Sequence, residues 1–277
     1  MTDKYAVIGN PIDFSKSPFI HGEFARSLGH DIAYTKILGP IGGFKEAVDA
    51  FRAAGGRGIN ITAPFKLDAF AYADERSPSA ELAGAVNCLK LDGPRIVGEN
   101  FDGVGLVRDA VHNLGQPLAG RRVLLLGAGG AARGALLPFL AEGPAELVIA
   151  NRSDGKAQDL AAIALRHAPA GTSVRASGYG ALEGQRFDVV FNATSASLRG
   201  ELPPVPACVF SGCALAYELA YAKGMTPFLR LAVNAGVTRC ADGVGMLAEQ
   251  AAEAFAWWRG VRPRTEAVIE SLRVPLE

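Results

Sequence analysis

The stretch RVLLLGAGGAARG at residues 122–134 decides the fold of this chain. It begins with an apolar run, which is typical of a strand covered on both faces of a parallel sheet. Gly127 permits a tight turn, Gly129 lets the backbone approach a pyrophosphate, and Ala132 is small enough for close helix–strand packing. The following helix start offers free N–H groups to the anion. The stretch therefore predicts a nucleotide-binding turn; the alternative is a glycine-rich turn that binds nothing.

Apolar strands alternate with helices around this turn. The predicted strands and helices are 122–126, 131–141, 146–150, 155–166 and 187–192. This alternation is typical of βαβ units in a parallel sheet. We therefore predict a Rossmann-like, doubly wound nucleotide-binding domain over residues 104–242.

The first hundred residues also alternate between strand and helix patterns, and they include a hairpin around an Asp-Gly pair. The predicted elements are strands at 5–9, 33–38 and 58–61, helices at 17–28 and 44–54, and a hairpin of 86–91 with 96–97. Helices at 244–258 and 266–272 are expected to return to this part of the chain. The fold class is thus α/β with two domains, in which an α/β substrate domain comprises residues 1–103 and 243–277.

The end of the second strand of the Rossmann-like domain indicates which dinucleotide is bound. A site for NAD typically carries Asp or Glu there, which holds the ribose 2′-hydroxyl. This chain has Asn151, Arg152 and Ser153 instead, and Lys156 follows. A guanidinium pairs with a 2′-phosphate and stacks on adenine, so we predict NADP(H) over NAD(H). The alternative is that Arg152 and Lys156 only begin a helix on a solvated face.

The composition excludes several classes of function. The 277-residue chain has 28 basic and 28 acidic residues, for a formal net charge of zero. This balance argues against nucleic-acid binding through bulk positive charge and against a polybasic membrane-surface protein. The 4 histidines show no HExxH-like spacing, so no metal site is predicted.

The compartment is predicted from the cysteines and from the absence of targeting signals. The 4 cysteines include no CxxC pair, which favours reduced thiols over a disulfide framework. No signal-peptide pattern begins the chain, and its longest uncharged run, residues 202–217, contains three prolines. We therefore expect a cytoplasmic protein that acts on a small molecule, without nucleic-acid or membrane partners, as a monomer or homodimer.

Three polar clusters interrupt apolar or small-residue surroundings. Ser15 and Ser17 precede a predicted helix, where hydroxyls and free N–H groups fit a carboxylate; Ser17 before Pro18 also fits a simple helix N-cap. Lys66 lies in an apolar, proline-containing loop, which suits proton chemistry. Asp102 fits a helix cap, a role that is compatible with catalysis.

The order of these clusters along the chain resembles the shikimate dehydrogenase family over nearly the whole length. The matching motifs are GNPIDFSKSPFIH (9–21), NITAPFK (60–66), AGAVN (83–87), ENFDG (99–103), GAGGAARG (127–134), NRS (151–153), NATS (192–195), YAKGMTPF (221–228) and ADGVGMLAEQA (241–251). Each motif is short, but nine in this order are specific.

The resemblance implies the reduction of 3-dehydroshikimate to shikimate with NADPH, in aromatic amino-acid biosynthesis. Lys66 and Asp102 match the family's catalytic pair. The residues that match those holding the substrate's carboxylate and hydroxyls are Ser15, Ser17, Thr62, Asn87, Tyr221 and Gln250. The cofactor residues assigned in this way are Gly127, Ala128, Gly129, Gly130, Ala131, Asn151, Arg152, Ser153, Lys156 and Gly243.

Some positions depart from the family pattern. Phe101 stands where the family usually has Thr, and Glu218-Leu219-Ala220 precedes Tyr221 where Asp-Met is usual. Ala196-Ser197 replaces a glycine often found after NATS. These changes leave open a paralogue that prefers quinate or an aminated analogue. A catalytically silent NADP-binding sensor is the alternative from another functional class, against which the Lys66 and Asp102 pair argues.

Overall fold

The computed structural model of this protein describes residues 2–221 and 224–276, and for Leu198 it describes the backbone alone. The chain forms two compact units. The first contains the residues up to Gly105 together with Ala248–Ser271. The second contains Leu106–Leu247 and the residues from Leu272 onward.

The first unit has a mixed sheet of six strands in the order β2-β1-β3-β5-β6-β4. The strands are β1 (Asp3–Gly9), β2 (Ile32–Leu38), β3 (Gly56–Ile61), β4 (Glu75–Arg76), β5 (Cys88–Lys90) and β6 (Val97–Glu99). The first three strands are parallel, whereas β5 pairs antiparallel with both β3 and β6. The pairing of β5 with β6 confirms the predicted hairpin.

Among the residues that the structure describes, seven α-helices belong wholly or partly to this first unit. They are α1 (Ser17–Leu28), α2 (Phe44–Ala53), α3 (Lys66–Tyr72), α4 (Pro78–Ala83), α5 (Asp102–Arg108), α9 (Val244–Arg259) and α10 (Glu266–Leu272). The core of the unit includes Ile8, Ile59, Phe65 and Leu89. The carboxyl ends of β1 and β3 are followed by the loops that precede α1 and α3, and these loops carry the predicted substrate residues.

The second unit has a fully parallel sheet of six strands in the order β12-β11-β10-β7-β8-β9. The strands are β7 (Arg122–Leu126), β8 (Glu146–Ala150), β9 (Ser173–Ser177), β10 (Val189–Asn192), β11 (Leu215–Glu218) and β12 (Cys240–Ala241), and the helices are α6 (Gly130–Ala141), α7 (Asp154–Leu165) and α8 (Pro227–Asn234). The strand order reverses between β7 and β10, and ligands of doubly wound sheets bind at that switch point. The predicted α/β class with a Rossmann-like part is confirmed.

The predicted domain boundaries differ from the compact units: residues 104–105 lie in the first unit, and residues 243–247 and those from 272 onward lie in the second. The two glycines of residues 243–247 pack closely against other parts of the second unit. A Cβ on Gly243 would overlap the backbone of Leu219, and a Cβ on Gly245 would overlap the carboxylate of Asp109. None of the described helices is long and apolar enough to cross a membrane.

Candidate active site

The glycine-rich turn lies at the carboxyl end of β7. Gly127 has a φ of +106°, which residues with a Cβ rarely adopt, and a Cβ there would lie 3.0 Å from the carbonyl oxygen of Ala193. Gly129 and Gly130 face open space where a Cβ would be. Because α6 begins at Gly130 without a side-chain cap, its first N–H groups are available to an anion. The turn has the backbone geometry that a pyrophosphate needs.

A cavity of about 390 Å³ opens at this turn within the second unit. The predicted cofactor residues that line it are Gly127, Ala128, Gly129, Gly130, Ala131, Asn151 and Arg152. The lining residues that the sequence did not identify as site residues are Tyr179, Ala193, Thr194, Ser195, Ala196, Arg199, Glu201, Leu202, Pro203 and Pro204. Ala193, Thr194 and Ser195 belong to the NATS motif, so the sequence carried a signal for part of this wall. The motif follows a predicted strand, and in a parallel sheet that strand ends at the same edge as the strand before the glycine turn. The cavity therefore brings the glycine turn and Arg152 together with the segment that follows β10.

Three other predicted cofactor residues do not line this cavity. Ser153 precedes α7, and its carbonyl oxygen accepts a hydrogen bond from Asn151 Nδ2 at 3.1 Å. Lys156 is an exposed residue of α7. Gly243 donates its N–H to the carbonyl oxygen of Ala220 at 3.2 Å. Contact of these residues with a cofactor stays a prediction.

A buried carboxylate, Glu218 at the end of β11, anchors one wall of the cavity. Its oxygens accept hydrogen bonds from Asn192 Nδ2 at 2.8 Å, from the Ala220 N–H at 3.2 Å and from Thr226 Oγ1 at 3.4 Å. The Ser197 hydroxyl also donates to this carboxylate. Burial raises the pKa of Glu218, while these donors favour its charged form. The segment that follows β10 is therefore tied to the segment that follows β11.

In the first unit, Lys66 and Asp102 form an ion pair. Lys66 is the first residue of α3 and Asp102 is the first residue of α5. Lys66 Nζ lies 2.5 Å from Asp102 Oδ2, and the two side chains are 35% and 17% exposed. The pair is thus partly shielded from water, which strengthens the attraction between its charges, while solvent and small molecules still reach it.

Two buried asparagines hold Asp102 in place. Asn87 Nδ2 donates to Asp102 Oδ1 at 2.8 Å, and Asn87 Oδ1 accepts from the N–H of Phe101 at 3.0 Å. Asn100 Oδ1 accepts from the N–H of Asp102 at 3.1 Å, while its Nδ2 donates to the carbonyl oxygen of Ala85 at 3.0 Å. Asn87 was predicted to hold substrate; Asn100 was missed, although it stands two residues before Asp102 within a matched motif. Asn87 therefore orients the carboxylate of Asp102, and Asn100 fixes its backbone.

The two predicted serines lie together at the start of α1. Ser15 Oγ lies 3.3 Å from Ser17 Oγ and also accepts from the N–H of Ser17 at 3.3 Å. The helix begins at Ser17 with Lys16 in the N-cap position, so the simple N-cap interpretation of Ser17 is wrong. Thr62 is half-buried after β3, and its methyl group packs on Gly9.

The last two predicted substrate residues belong to different units. Gln250 is half-buried in α9, within the first unit. Tyr221 belongs to the second unit, follows β11, and is 39% exposed. Their contact with a substrate stays a prediction.

An aromatic cluster is buried in the first unit around His21, which the sequence did not single out. The imidazole stacks on Tyr34 with 4.4 Å between ring centroids, and the ring of Trp258 lies 5.5 Å away. The Tyr34 hydroxyl donates to Asn60 Oδ1 at 2.6 Å. Burial lowers the pKa of His21 to about 3, so its imidazole is neutral at physiological pH.

Together these groups suit the reduction of a carbonyl compound. An ammonium group can stabilise and protonate an oxygen that gains negative charge, and a carboxylate beside it keeps the ammonium oriented. Among the described residues, no group of three or more His, Cys, Asp or Glu side chains is arranged to hold a metal ion.

Three family models match successive parts of the chain. Residues 7–89 match the shikimate dehydrogenase substrate binding domain. Residues 109–199 match shikimate / quinate 5-dehydrogenase, and residues 243–273 match the shikimate 5′-dehydrogenase C-terminal domain.

Relatives resemble the chain over its full length. Shikimate dehydrogenase (NADP(+)) of Aromatoleum aromaticum is 55% identical over 99% of this chain and 98% of its own. The crystal structure of an Ael1 enzyme from Pseudomonas putida is 62% identical, with a TM-score of 0.96 and 100% of both chains covered. Shikimate 5-dehydrogenase from Thermus thermophilus, in complex with NADP(H) and shikimate, is 32% identical, with a TM-score of 0.85 over 98% and 99% of the chains. The chain therefore belongs to the shikimate dehydrogenase family.

Proposed function

We propose that this protein catalyses the reversible, NADPH-dependent reduction of 3-dehydroshikimate to shikimate, as an NADP-dependent oxidoreductase that acts on a CH–OH group. The observation that carries this proposal is the ion pair of Lys66 with Asp102, 2.5 Å apart, in a chain that is 55% identical to a named NADP-dependent shikimate dehydrogenase. We assign substrate binding to the first unit and cofactor binding to the second.

The cofactor residues supply affinity and orientation. When bound, NADPH supplies the hydride that reduces the carbonyl carbon. The N–H groups at the start of α6 face the pyrophosphate, and Gly127 and Gly129 leave room for its approach. Arg152, which lines the same cavity, pairs with the 2′-phosphate.

The catalytic pair acts on the oxygen of the substrate carbonyl. Negative charge develops on that oxygen during reduction, and the Lys66 ammonium stabilises it by a charge-assisted hydrogen bond. Asp102 orients Lys66, and Asn87 orients Asp102. Either member of the pair can carry the proton that converts the oxygen to a hydroxyl.

We assign substrate binding to polar side chains of the first unit, and the role of Tyr221, which belongs to the second unit, rests on the resemblance alone. We assign the carboxylate to Ser15 and Ser17, whose hydroxyls lie 3.3 Å apart at the start of a helix. The residues assigned to the substrate's hydroxyl groups are Thr62, Asn87, Tyr221 and Gln250. A cytoplasmic location and a monomeric or homodimeric state stay predictions from the sequence.

A steady-state assay of the full chain tests the proposal. Shikimate and quinate are each offered with NADP and with NAD, and formation of the reduced cofactor is followed by absorbance. The expected result is the highest kcat/KM for shikimate with NADP. A higher value for quinate identifies a quinate-preferring paralogue, whereas cofactor binding without turnover of either substrate supports the sensor.

A further inference from the structure

The cavity of the second unit has a charged edge that the proposed function does not use. Arg199 and Glu201 both line the cavity, and Arg199 Nη2 lies 2.8 Å from Glu201 Oε2. Arg199 Nη1 also donates to Ser195 Oγ at 3.0 Å. Since Arg152 lines the same cavity, two guanidinium groups and one carboxylate form what we term the rim cluster: Arg152, Arg199 and Glu201.

The backbone that carries the rim cluster is held in a defined turn. The carbonyl oxygen of Ala196 accepts from the N–H of Arg199 at 2.9 Å and from the N–H of Glu201 at 3.0 Å. Gly200, between them, has a φ of +69°, so the chain reverses there and both side chains leave a tight turn. Ser197, in the same segment, anchors the turn because its hydroxyl donates to the buried carboxylate of Glu218. The Arg199–Glu201 pair is thus part of the cavity wall.

The charges of the rim cluster act on each other. The hydrogen bond from Arg199 lowers the pKa of Glu201, and the positive charge of Arg152 adds to the same effect. Glu201 is therefore ionised at neutral pH and lies within the field of both guanidinium groups. Both guanidinium groups and the Glu201 carboxylate thus line one cavity.

We propose that Glu201 neutralises Arg199 in the free protein, that the cofactor's 2′-phosphate displaces this carboxylate, and that Arg199 is a second phosphate-binding cation in addition to Arg152. This inference rests on the proposed binding of NADP(H) in the cavity. A phosphate monoester carries about −1.5 to −2 charges and accepts paired hydrogen bonds from guanidinium groups. It therefore competes with Glu201 for the two arginines, whereas the 2′-hydroxyl of NADH leaves the Arg199–Glu201 pair undisturbed. Glu201 thus weakens the preference for NADPH, and Arg199 strengthens it.

The measurement is the dissociation constant of NADPH and of NADH on the full chain, from the fluorescence of the bound reduced cofactor. Glu201→Gln should tighten NADPH about two- to fivefold, the range expected for an exposed pair, and leave NADH unchanged or weaker. Arg199→Ala should weaken NADPH about tenfold, with less than a twofold effect on NADH, and Arg199→Lys should fall between the wild type and the alanine variant.

Two further comparisons make the test specific. In an Arg199→Ala background the gain from Glu201→Gln should shrink, because the two side chains act on each other. Glu23→Gln removes a carboxylate from another exposed pair, in which Glu23 lies 2.5 Å from Arg26, and should change neither constant. A NADPH-to-NADH ratio that Glu201→Gln and Arg199→Ala leave at the wild-type value overturns this inference alone. Failure of the wild type to bind either cofactor overturns the proposed function and this inference with it.

Discussion

The two regions assigned to ligands are built from different parts of the polypeptide. The turn after β7 is made mostly of backbone, with glycines at 127, 129 and 130 and a helix start that has no side-chain cap. The region around Lys66 in the first unit is a network of side chains instead, in which Lys66 and Asn87 bond the carboxylate of Asp102 and Asn100 bonds its backbone N–H. The first kind of site offers fixed N–H groups, and the second offers groups that exchange protons.

This difference determines what a substitution can change in each region. A single substitution does not remove a backbone N–H unless it introduces proline, so changes near the turn act through side chains on the cavity rim and alter cofactor affinity. A network of partly buried side chains loses its geometry when one member is lost, so changes there alter turnover. The predictions below test this division, beginning with the largest effect.

Replacing Lys66 with alanine should produce the largest loss. It removes the ammonium group that stabilises the developing oxyanion, so kcat should fall about a thousandfold. The dissociation constant of NADPH should stay within about twofold of the wild type, because the cofactor cavity belongs to the second unit. Steady-state kinetics and cofactor titration measure the two quantities separately.

Lys45 provides the matched control for Lys66. Its Nζ also lies 2.5 Å from a carboxylate, that of Asp49, but the two side chains are 67% and 46% exposed. Lys45→Ala should leave kcat unchanged. Near-normal turnover of Lys66→Ala would remove Lys66 from the catalytic role.

Asp102→Asn should have the next largest effect. The amide keeps the size of the carboxylate but loses the charge that orients Lys66, so kcat should fall about a hundredfold while the free energy of unfolding changes little. Asp92→Asn makes the same change in an exposed pair with Arg57, 3.2 Å apart, and should be neutral for turnover. An equal loss of stability and turnover in Asp102→Asn would indicate a structural carboxylate.

Two copies of the same four residues show what the sequence can predict. Asp-Gly-Val-Gly begins a helical segment at residues 102–105 and again at 242–245, and both helix starts were predicted. The carboxylate of Asp102 accepts hydrogen bonds from Lys66 and Asn87, which are distant in sequence. Asp242 Oδ1 accepts from the N–H of Val244 in its own turn. Local sequence therefore predicts the helix start, but the long-range partner that decides the role of each aspartate depends on tertiary structure.

The same distinction explains which strands were predicted. β7 and β8 are buried apolar runs bounded by turns, and their predicted ends agree with the structure. β9 has the sequence SVRAS, and β12 has only two residues, so neither carries a clear period. The wall of the cavity after β10 was missed as a binding wall for a related reason: its residues have no distinctive spacing, and only the parallel sheet brings them opposite the glycine turn.

The aromatic cluster around His21 should make the stability of the first unit depend on pH. The pKa of His21 is lowered to about 3 by burial, against about 6.5 in an unfolded chain. Below pH 6.5 the unfolded state binds a proton that the folded state does not, so acidification favours unfolding. This group alone should make the free energy of unfolding at pH 5 roughly 2 kcal/mol lower than at pH 8. Denaturant unfolding followed by tryptophan fluorescence measures this loss, since both tryptophans lie in the first unit.

His21→Phe isolates this contribution because a phenyl ring can keep the stacking on Tyr34 without a titrating nitrogen. Between pH 8 and pH 5, the free energy of unfolding of the variant should fall by about 2 kcal/mol less than that of the wild type. His167→Gln, at an exposed position, should leave the pH dependence unchanged. Parallel pH curves for wild type and His21→Phe would contradict the assignment.

Arg152→Ala should give the smallest effect of the series, and it acts on affinity. Loss of the guanidinium should raise the KM for NADPH about tenfold and the KM for NADH less than twofold, with kcat preserved. The residue is exposed on the cavity wall, so its attraction for the cofactor is screened by salt. Kinetics at about 0.05 M and about 0.5 M NaCl measure that screening.

The salt dependence decides whether Arg152 recognises a phosphate. The KM of the wild type for NADPH should rise with salt more than its KM for NADH, and Arg152→Ala should remove most of this difference. Arg175→Ala, which removes an equally charged side chain from its pair with Glu146 in the same unit, should keep the difference. If Arg152→Ala lowers kcat and leaves both KM values unchanged, then an exposed rim residue acts on turnover, and the division between a backbone-built cofactor site and a side-chain catalytic network does not hold.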